Sequence, residues 1–380
     1  MAASPLRILH LHSSFSLGGK EVRAVRLMNV WGKRAAHTIL SGVPDQLGAR
    51  DAIEPGIDVA FPQGAPSLTG QSSLRRYRAL ALYMQRFDLV LSYNWGAMDG
   101  VMAHRLFTPL MRLPPLIHHE DGFNSDEADG LKPRRNLFRR IALGSANALV
   151  VPSEKLEAIA MHSWKQPPGK VRLIRNGIEV ERYERISDPA VIPGLVRTPG
   201  KLLVGTLAGL RPVKNLSRLV RAVAAHKDTL QLVIVGDGPE RKAILAEAAS
   251  MGLDDLHLPG FMTNPWQFVG LFDIFGLSSD SEQFPISLVE AMAGGCPVVA
   301  TDVGDVAQMV ASENRPFIVP PGDETAFSLS LGRLAGDAML RADIGAANRE
   351  KARHCFLEAG MIAAYAQLYG QAIARPDSLL

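Results

Sequence analysis

The chain reads as an α/β protein built from two parallel-sheet domains. Three observations predict this. Its 380 residues exceed what one ordinary core organises. Short β-rich runs alternate with helical stretches in both halves, the grammar of parallel sheets. Charge divides along the same line. Residues 1–180 carry 23 Lys/Arg against 15 Asp/Glu, and residues 181–380 carry 18 against 23, for a net +3. A basic half joined to an acidic half points to two jobs, one facing an anionic partner.

The expected strands of the first half are Arg7–His12, Thr38–Ser41, Ile57–Phe61, Asp88–Ser92, Pro115–His119 and Ala148–Pro152. Helical composition covers Leu74–Arg86, Ala97–Phe107 and Asn136–Leu143, and Ser153 opens another helix as its N-cap. The second half gives strands at Leu202–Leu207, Leu230–Val235, Ile274–Leu277, Pro297–Ala300 and Phe317–Val319, with helices between. Prolines and glycines interrupt the pattern over Asn176–Gly200, and a last helix runs Glu358–Ala374. The expected division is therefore 1–180, 181–355 and a terminal helix within 356–380. Two such Rossmann-like domains would face each other across a cleft lined by the carboxyl ends of both sheets.

Composition, 47% hydrophobic and 21% charged with mean hydropathy +0.06, is that of a soluble enzyme. The start "MAASPLRILHLHSS" reads as neither signal peptide nor membrane span. Cys296 and Cys355 stand far apart without a Cys/His cluster, so neither a zinc motif nor a disulfide framework is expected. The default setting is a reducing cytosol, with no metal, no resident cofactor and no nucleic-acid partner.

Three strand-to-helix junctions suit phosphate. In "HSSFSLGGKE", Gly18 and Gly19 let backbone N–H groups approach an anion at a helix N-terminus. In "LAGLRPVKNLSRLV", Arg211 and Lys214 stand where a helix begins, the unfavourable end for cations unless a polyanion binds there. In "LVIVGDGPERKAIL", Gly236 belongs to a Gly-Asp-Gly turn that lacks the third glycine of a dinucleotide site. A fourth stretch, "SSDSEQFPISLVEAMAGG", sets Glu282 and Glu290 on either side of Pro285. Here Ser287 and Glu290 also have capping-box spacing, a purely structural alternative.

Taken in order, these junctions together with "IHHEDG", "VPSEKL", "VRLIRNGIE" and "EQFPISLVEAMAGGCPVVATDVG" resemble the retaining family-4 glycosyltransferases, which have the GT-B fold. The resemblance implies a nucleoside-diphosphate sugar donor held mainly by the second domain. Arg211 and Lys214 would hold the diphosphate, with Gly19 capping it. Glu290 would accept the ribose hydroxyls. Glu282 and the backbone of Phe284 and Ile286 would face the sugar, with Gly18, Gly236, Phe261, Pro285 and Leu288 completing the donor site. His118 matches the family histidine near the reacting carbon, and the terminal helix would return to the first domain. Retention of anomeric configuration would need no covalent nucleophile. Gln283, Asp305 and Gln308 depart from the family's usual residues and leave the donor sugar open.

For the acceptor, a glycan or lipid-linked molecule, the candidates are Tyr93, Asn94 and Trp95 in "LSYNWGAMDG", with His119 and Asp121. The acidic stretch that follows to Gly130 suits a mobile acceptor loop. "LKPRRNLFRRIALG" places Lys132, Arg134, Arg135, Arg139 and Arg140 around Leu137, Phe138 and Ile141, a basic amphipathic helix suited to an anionic membrane surface or merely a solvated face. The expected activity is metal-independent hexosyl transfer in cell-surface polysaccharide or glycolipid assembly. The rivals are an epimerase or phosphorylase of the same fold, or a silent nucleotide-binding module.

Overall fold

A computed structural model describes residues 4–123, 127, 130–184 and 188–379. The chain forms two compact units, one of residues Met1–Arg175 with Met361–Leu380 and one of Asn176–Gly360.

The first unit holds a seven-stranded parallel sheet: β1 Leu6–His12, β2 Ala35–Ser41, β3 Asp58–Ala60, β4 Leu89–Tyr93, β5 Leu116–His119, β6 Ala148–Val151 and β7 Val171–Leu173, in the order β3-β2-β1-β4-β5-β6-β7. Its helices are α1 Gly19–Trp31, α2 Leu74–Met84, α3 Met98–Phe107, α4 Pro133–Ala142 and α5 Glu154–His162. The second unit holds a six-stranded parallel sheet: β8 Leu202–Leu207, β9 Leu230–Val235, β10 Leu256–Gly260, β11 Ile274–Leu277, β12 Val298–Thr301 and β13 Ile318–Val319, in the order β10-β9-β8-β11-β12-β13. Its helices are α6 Leu216–Ala224, α7 Arg241–Ser250, α8 Ile286–Ala293, α9 Val306–Met309, α10 Glu324–Gly336 and α11 Ala338–Cys355. The final helix, α12 Glu358–Ala372, begins at the end of the second unit and continues in the first.

Each sheet is buried on both faces, because successive side chains point to opposite sides. In the first unit Leu9, Leu11, Val90, Leu116 and Leu149 build one core, and Ile8, Leu91, Ile117 and Val150 build the other. In the second, Leu203, Val233, Phe275 and Val298 face one core while Val204, Leu232, Ile274 and Val299 face its opposite. Met361, Tyr365 and Tyr369 of α12 complete the second core of the first unit. Both strand orders reverse beside the first strand of their sheet, so β1/β4 and β8/β11 are switch points where the following chains diverge.

The expected strands all form, with ends displaced by no more than a few residues, and two further strands appear. β7 has only three residues, with Arg172 exposed. β10 carries Pro259, and its register shifts between His257 and Gly260. Neither stretch shows the apolar run that marks a buried strand. Among the described residues no helix is long and apolar enough to cross a membrane.

Candidate active site

The chemistry-bearing residues of the second unit collect at the β8/β11 switch point. After β8 the chain makes a 3-10 turn over Pro212–Lys214, then enters α6 through Asn215. Asn215 takes the left-handed conformation, φ 41°, which asparagine tolerates, and its Oδ1 accepts the Arg218 N–H as the helix cap. After β11, Ser278–Gln283 runs alongside. The two segments are bonded together. Asp280 N donates to Val213 O at 2.9 Å, Ser278 Oγ to Lys214 O at 3.0 Å, and Arg218 Nη1 to Ser278 O at 2.9 Å.

Lys214 Nζ lies 2.5 Å from Glu282 Oε1, which also accepts Ser279 Oγ at 2.7 Å. The expected diphosphate cation and the expected sugar-facing carboxylate are thus one pair, largely sheltered from solvent. Arg211 is exposed and, among the described residues, has no anionic partner. Gly304 fixes the other side of this loop. A Cβ there would lie 2.6 Å from the carbonyl oxygens of both Glu282 and Gln283, and its φ of +60° is unfavourable for a side chain.

Glu290 sits in the second turn of α8. Pro285 is the N-cap of that helix and Ser287 lies within it, so the Ser287–Glu290 capping box does not form. Instead the Tyr183 hydroxyl donates to Glu290 Oε1 at 3.1 Å. Burial pushes the Glu290 carboxyl up to about 7, against the opposing pull of that hydrogen bond.

The remaining donor candidates differ in what they can offer. Phe261, just past β10, is 62% exposed and free to stack. Gly236 has φ +147°, and a Cβ would fall 1.9 Å from Ala208 O, so the loop after β9 closes on the loop after β8. Leu288 and Phe284 are core residues, Phe284 edge-on to Phe356, so neither side chain faces a ligand. Only their backbones could. In the first unit, Gly18 caps α1, and the Glu21 carboxylate folds back against it.

Several acceptor candidates turn out to be structural. Tyr93 is 1% exposed and stacks between His12 and His119 at 4.1 and 4.6 Å. His119 is bonded to Ser92 O and to the Tyr369 hydroxyl at 2.7 Å. Asn94, at φ 56°, uses its side-chain oxygen to accept from Asp121 N. Asp121 is gripped by both terminal nitrogens of Arg23. Its burial works against the charge, yet Arg23 holds the carboxyl below the ordinary range. Strand alternation sends His118 to the other face, as its neighbour's position requires. There its Nδ1 meets Ser92 Oγ at 2.9 Å, while Nε2 has no hydrogen bond and lies 3.7 Å from Glu120. His118 is wholly buried. The expected loop between Asp121 and Gly130 lies mostly outside the described residues.

The basic helix α4 also needs correction. Arg139 is fully buried, paired through both terminal nitrogens with Glu127 and packed over Trp95, Phe123 and Trp164 at 4.9, 5.4 and 5.0 Å. Arg135 bonds the same carboxylate at 3.0 Å and also lies over Trp95. These two arginines and Trp95 therefore serve the fold. The outward face consists of Arg134, Leu137, Arg140 and Ile141.

Tyr183, Asn215, Arg218, Ser278 and Ser279 were not among the sequence candidates. Asn215 alone carried a readable signal, a capping residue ahead of the α6 apolar pattern. Among the described residues no group of three or more His, Cys, Asp or Glu is placed to hold a metal ion.

Comparison with known proteins supplies the family. Residues 8–182 match the model described as Glycosyltransferase Family 4, and residues 192–351 that described as Glycosyl transferases group 1. The chain is 30% identical over 322 residues to the glycosyltransferase EpsF of Bacillus subtilis, covering 80% of each. It is 28% identical to the N-acetyl-alpha-D-glucosaminyl L-malate synthase of Bacillus anthracis, covering 93% of this chain and 94% of that one. With the D-inositol 3-phosphate glycosyltransferase of Streptomyces avermitilis the identity is 27% over 71% of this chain, which spans only 62% of that relative. Among solved structures, HepE of Anabaena in complex with UDP and glucose superposes with a TM-score of 0.79 at 19% identity, covering 96% of this chain and 100% of that one. The sucrose-phosphate synthase of Thermosynechococcus elongatus gives 0.75 at 19%, covering 97% and 99%. The chain belongs to the family-4 glycosyltransferases of GT-B fold.

Proposed function

We propose that the protein is a retaining, metal-independent hexosyltransferase that uses a nucleoside-diphosphate sugar and serves a glycan or lipid-linked acceptor in cell-surface polysaccharide or glycolipid assembly. The observation that carries the reading is the Lys214–Glu282 pair at the β8/β11 switch point, with Arg211, which has no anionic partner among the described residues, three positions before the lysine. Breaking a sugar–phosphate bond leaves charge on the departing diphosphate. Arg211, Lys214 and the N–H groups at the start of α6 are fixed donors for that charge, and such donors are the largest single contribution in many transferring sites. Glu282 beside the lysine would then meet hydroxyls of the transferred sugar, and Glu290 those of the ribose. Tyr93 and His119 are buried away from an acceptor, whereas Asn94 and Trp95 stay partly exposed and remain acceptor candidates with the loops around them. Leu137 and Ile141 between Arg134 and Arg140 suit peripheral contact with an anionic membrane.

The test is a thermal-shift panel of UDP-, GDP- and ADP-sugars, followed by transfer assays in EDTA. One donor class should stabilise the protein by mass action, and turnover should survive chelation. Loss of turnover in EDTA with recovery on Mg2+ or Mn2+ would defeat the metal-independent mechanism. Silence across the whole panel would defeat the donor assignment.

A further inference from the structure

Tyr183 lies on a 3-10 turn, Val180–Glu184, that packs against α8 in the second unit, and its ring is 7% exposed within the apolar core. Its hydroxyl donates to Glu290 Oε1 at 3.1 Å, its one hydrogen-bond partner among the described residues. Among the described residues nothing else bonds the Glu290 carboxylate, and Oε2 is left open. We infer that Tyr183 is a positioning residue for donor binding: it clamps one oxygen of Glu290 so that the other is presented in a fixed rotamer to the ribose hydroxyls. This rests on the reading of Glu290 as the ribose acceptor.

The surroundings make the hydroxyl consequential. Among the described residues no cation pairs with Glu290. Around Tyr183, Glu179 pairs with Arg182 at 2.8 Å and Glu184 with Arg353 at 3.0 Å. From α11, Arg349 donates to the carbonyls of Ala293 and Gly294, at the far end of α8. The strands and the turn over Val269–Leu271 that also meet α8 present apolar side chains. Burial therefore raises the carboxyl to about 7 with only the phenol opposing it. A hydrogen bond donated to a carboxylate favours the charged form, so deleting the hydroxyl raises that value further.

The sign follows. A carboxylate accepts from the ribose hydroxyls more strongly than a carboxylic acid does, so nucleotide affinity rises with pH through about 7 and then levels. In Tyr183→Phe the level region begins at higher pH, and affinity near neutrality drops by roughly 2- to 10-fold, the worth of one ordinary hydrogen bond.

The ribose is common to UDP, GDP and ADP, so calorimetry uses all three on wild type, Tyr183→Phe and Glu290→Gln between pH 6 and 8.5. Glu290→Gln isolates the titration of the nucleotide phosphate itself. The expected result is weakened binding in both variants, an upward-shifted pH limb in Tyr183→Phe and no protein limb in Glu290→Gln. Proton release by the wild type near pH 7, read from buffers of different ionisation enthalpy, should accompany binding. A ring that only packs leaves Tyr183→Phe identical to wild type at every pH, and that overturns the inference while Glu290→Gln still weakens binding. If Glu290→Gln also matches wild type, or no nucleotide binds, the ribose reading itself is wrong. Absence of proton release overturns the ionisation claim even if Tyr183→Phe folds poorly.

Discussion

Lys214 and Glu282, 68 positions apart in sequence, form an ion pair of 2.5 Å across the loops that follow β8 and β11. Each is the other's main charge partner, so removing either should affect the fold as well as the chemistry. The double variant Lys214→Ala/Glu282→Gln should destabilise the protein less than the sum of Lys214→Ala and Glu282→Gln taken singly. Residues in one such pair couple by about 0.5–3 kcal/mol. A double-mutant cycle by urea unfolding, with strict additivity as the contrary outcome, measures it.

Arg139 should be a folding residue rather than a lipid contact. Its loss takes the guanidinium from buried Glu120 and leaves buried Glu127 with Arg135 alone. Breaking such a pair from one side typically costs about 3–5 kcal/mol. Lysine should rescue poorly, since it has neither the paired donors nor the flat face that lies on three aromatic rings. The check is the urea midpoint of Arg139→Lys beside Arg139→Ala. A wild-type midpoint for either would refute the assignment.

Membrane contact, if α4 makes it, belongs to Arg134 and Arg140. Replacing both by serine should weaken binding to anionic vesicles by about 2 kcal/mol, roughly 1 kcal/mol for each charge near the surface. Sedimentation with phosphatidylserine vesicles at low salt reads this directly. Equal sedimentation of variant and wild type would end the membrane proposal.

The first unit should be acid-labile through its imidazoles. His10, His12, His37 and His119 are all buried. Burial lowers all four, His37 to about 4 and, with Arg23 adding to the effect, His119 to about 3. The unfolded chain takes up these protons near pH 6.5 and the folded chain refuses them. Stability is therefore full above that value and falls as pH drops toward 4, by up to about 1.4 kcal/mol per pH unit for each imidazole. Trp31, Trp95 and Trp164 lie in this unit and Trp266 in the other, so tryptophan fluorescence in urea, read on a Trp266→Phe background, follows its unfolding. A midpoint unchanged between pH 7.5 and 5 would contradict the prediction.

The fold was readable in the sequence because buried parallel strands advertise themselves. Leu202–Leu207 and Leu230–Val235 are apolar runs bounded by turns, whereas three-residue β7 has almost nothing to advertise. The candidate site was readable where helix starts carry misplaced cations, as at Arg211 and Lys214. It was misread where burial, not residue type, decides the role. Tyr93 and His119 look like ligand-facing groups in a strand-end motif, yet α12, some 250 positions later in the chain, covers them. Arg139 counted as surface charge until Glu127 and three aromatic rings closed over it. Tyr183 carries no motif at all, because its meaning lies in one oxygen 107 positions away.

The division of the chain also imposes an order of synthesis. Of the two units, the one begun first is finished second, because Met361, Tyr365 and Tyr369 fill its core after the whole of Asn176–Gly360 has been made. The 185 residues of Asn176–Gly360 are contiguous and can fold as they leave the ribosome. The sheet of β1–β7 must wait, with His119 and its neighbours bare, until Met361, Tyr365 and Tyr369 have emerged. A nascent chain stalled before Met361 would carry one finished half and one open half, which makes the unfinished N-terminal half the natural client of a chaperone.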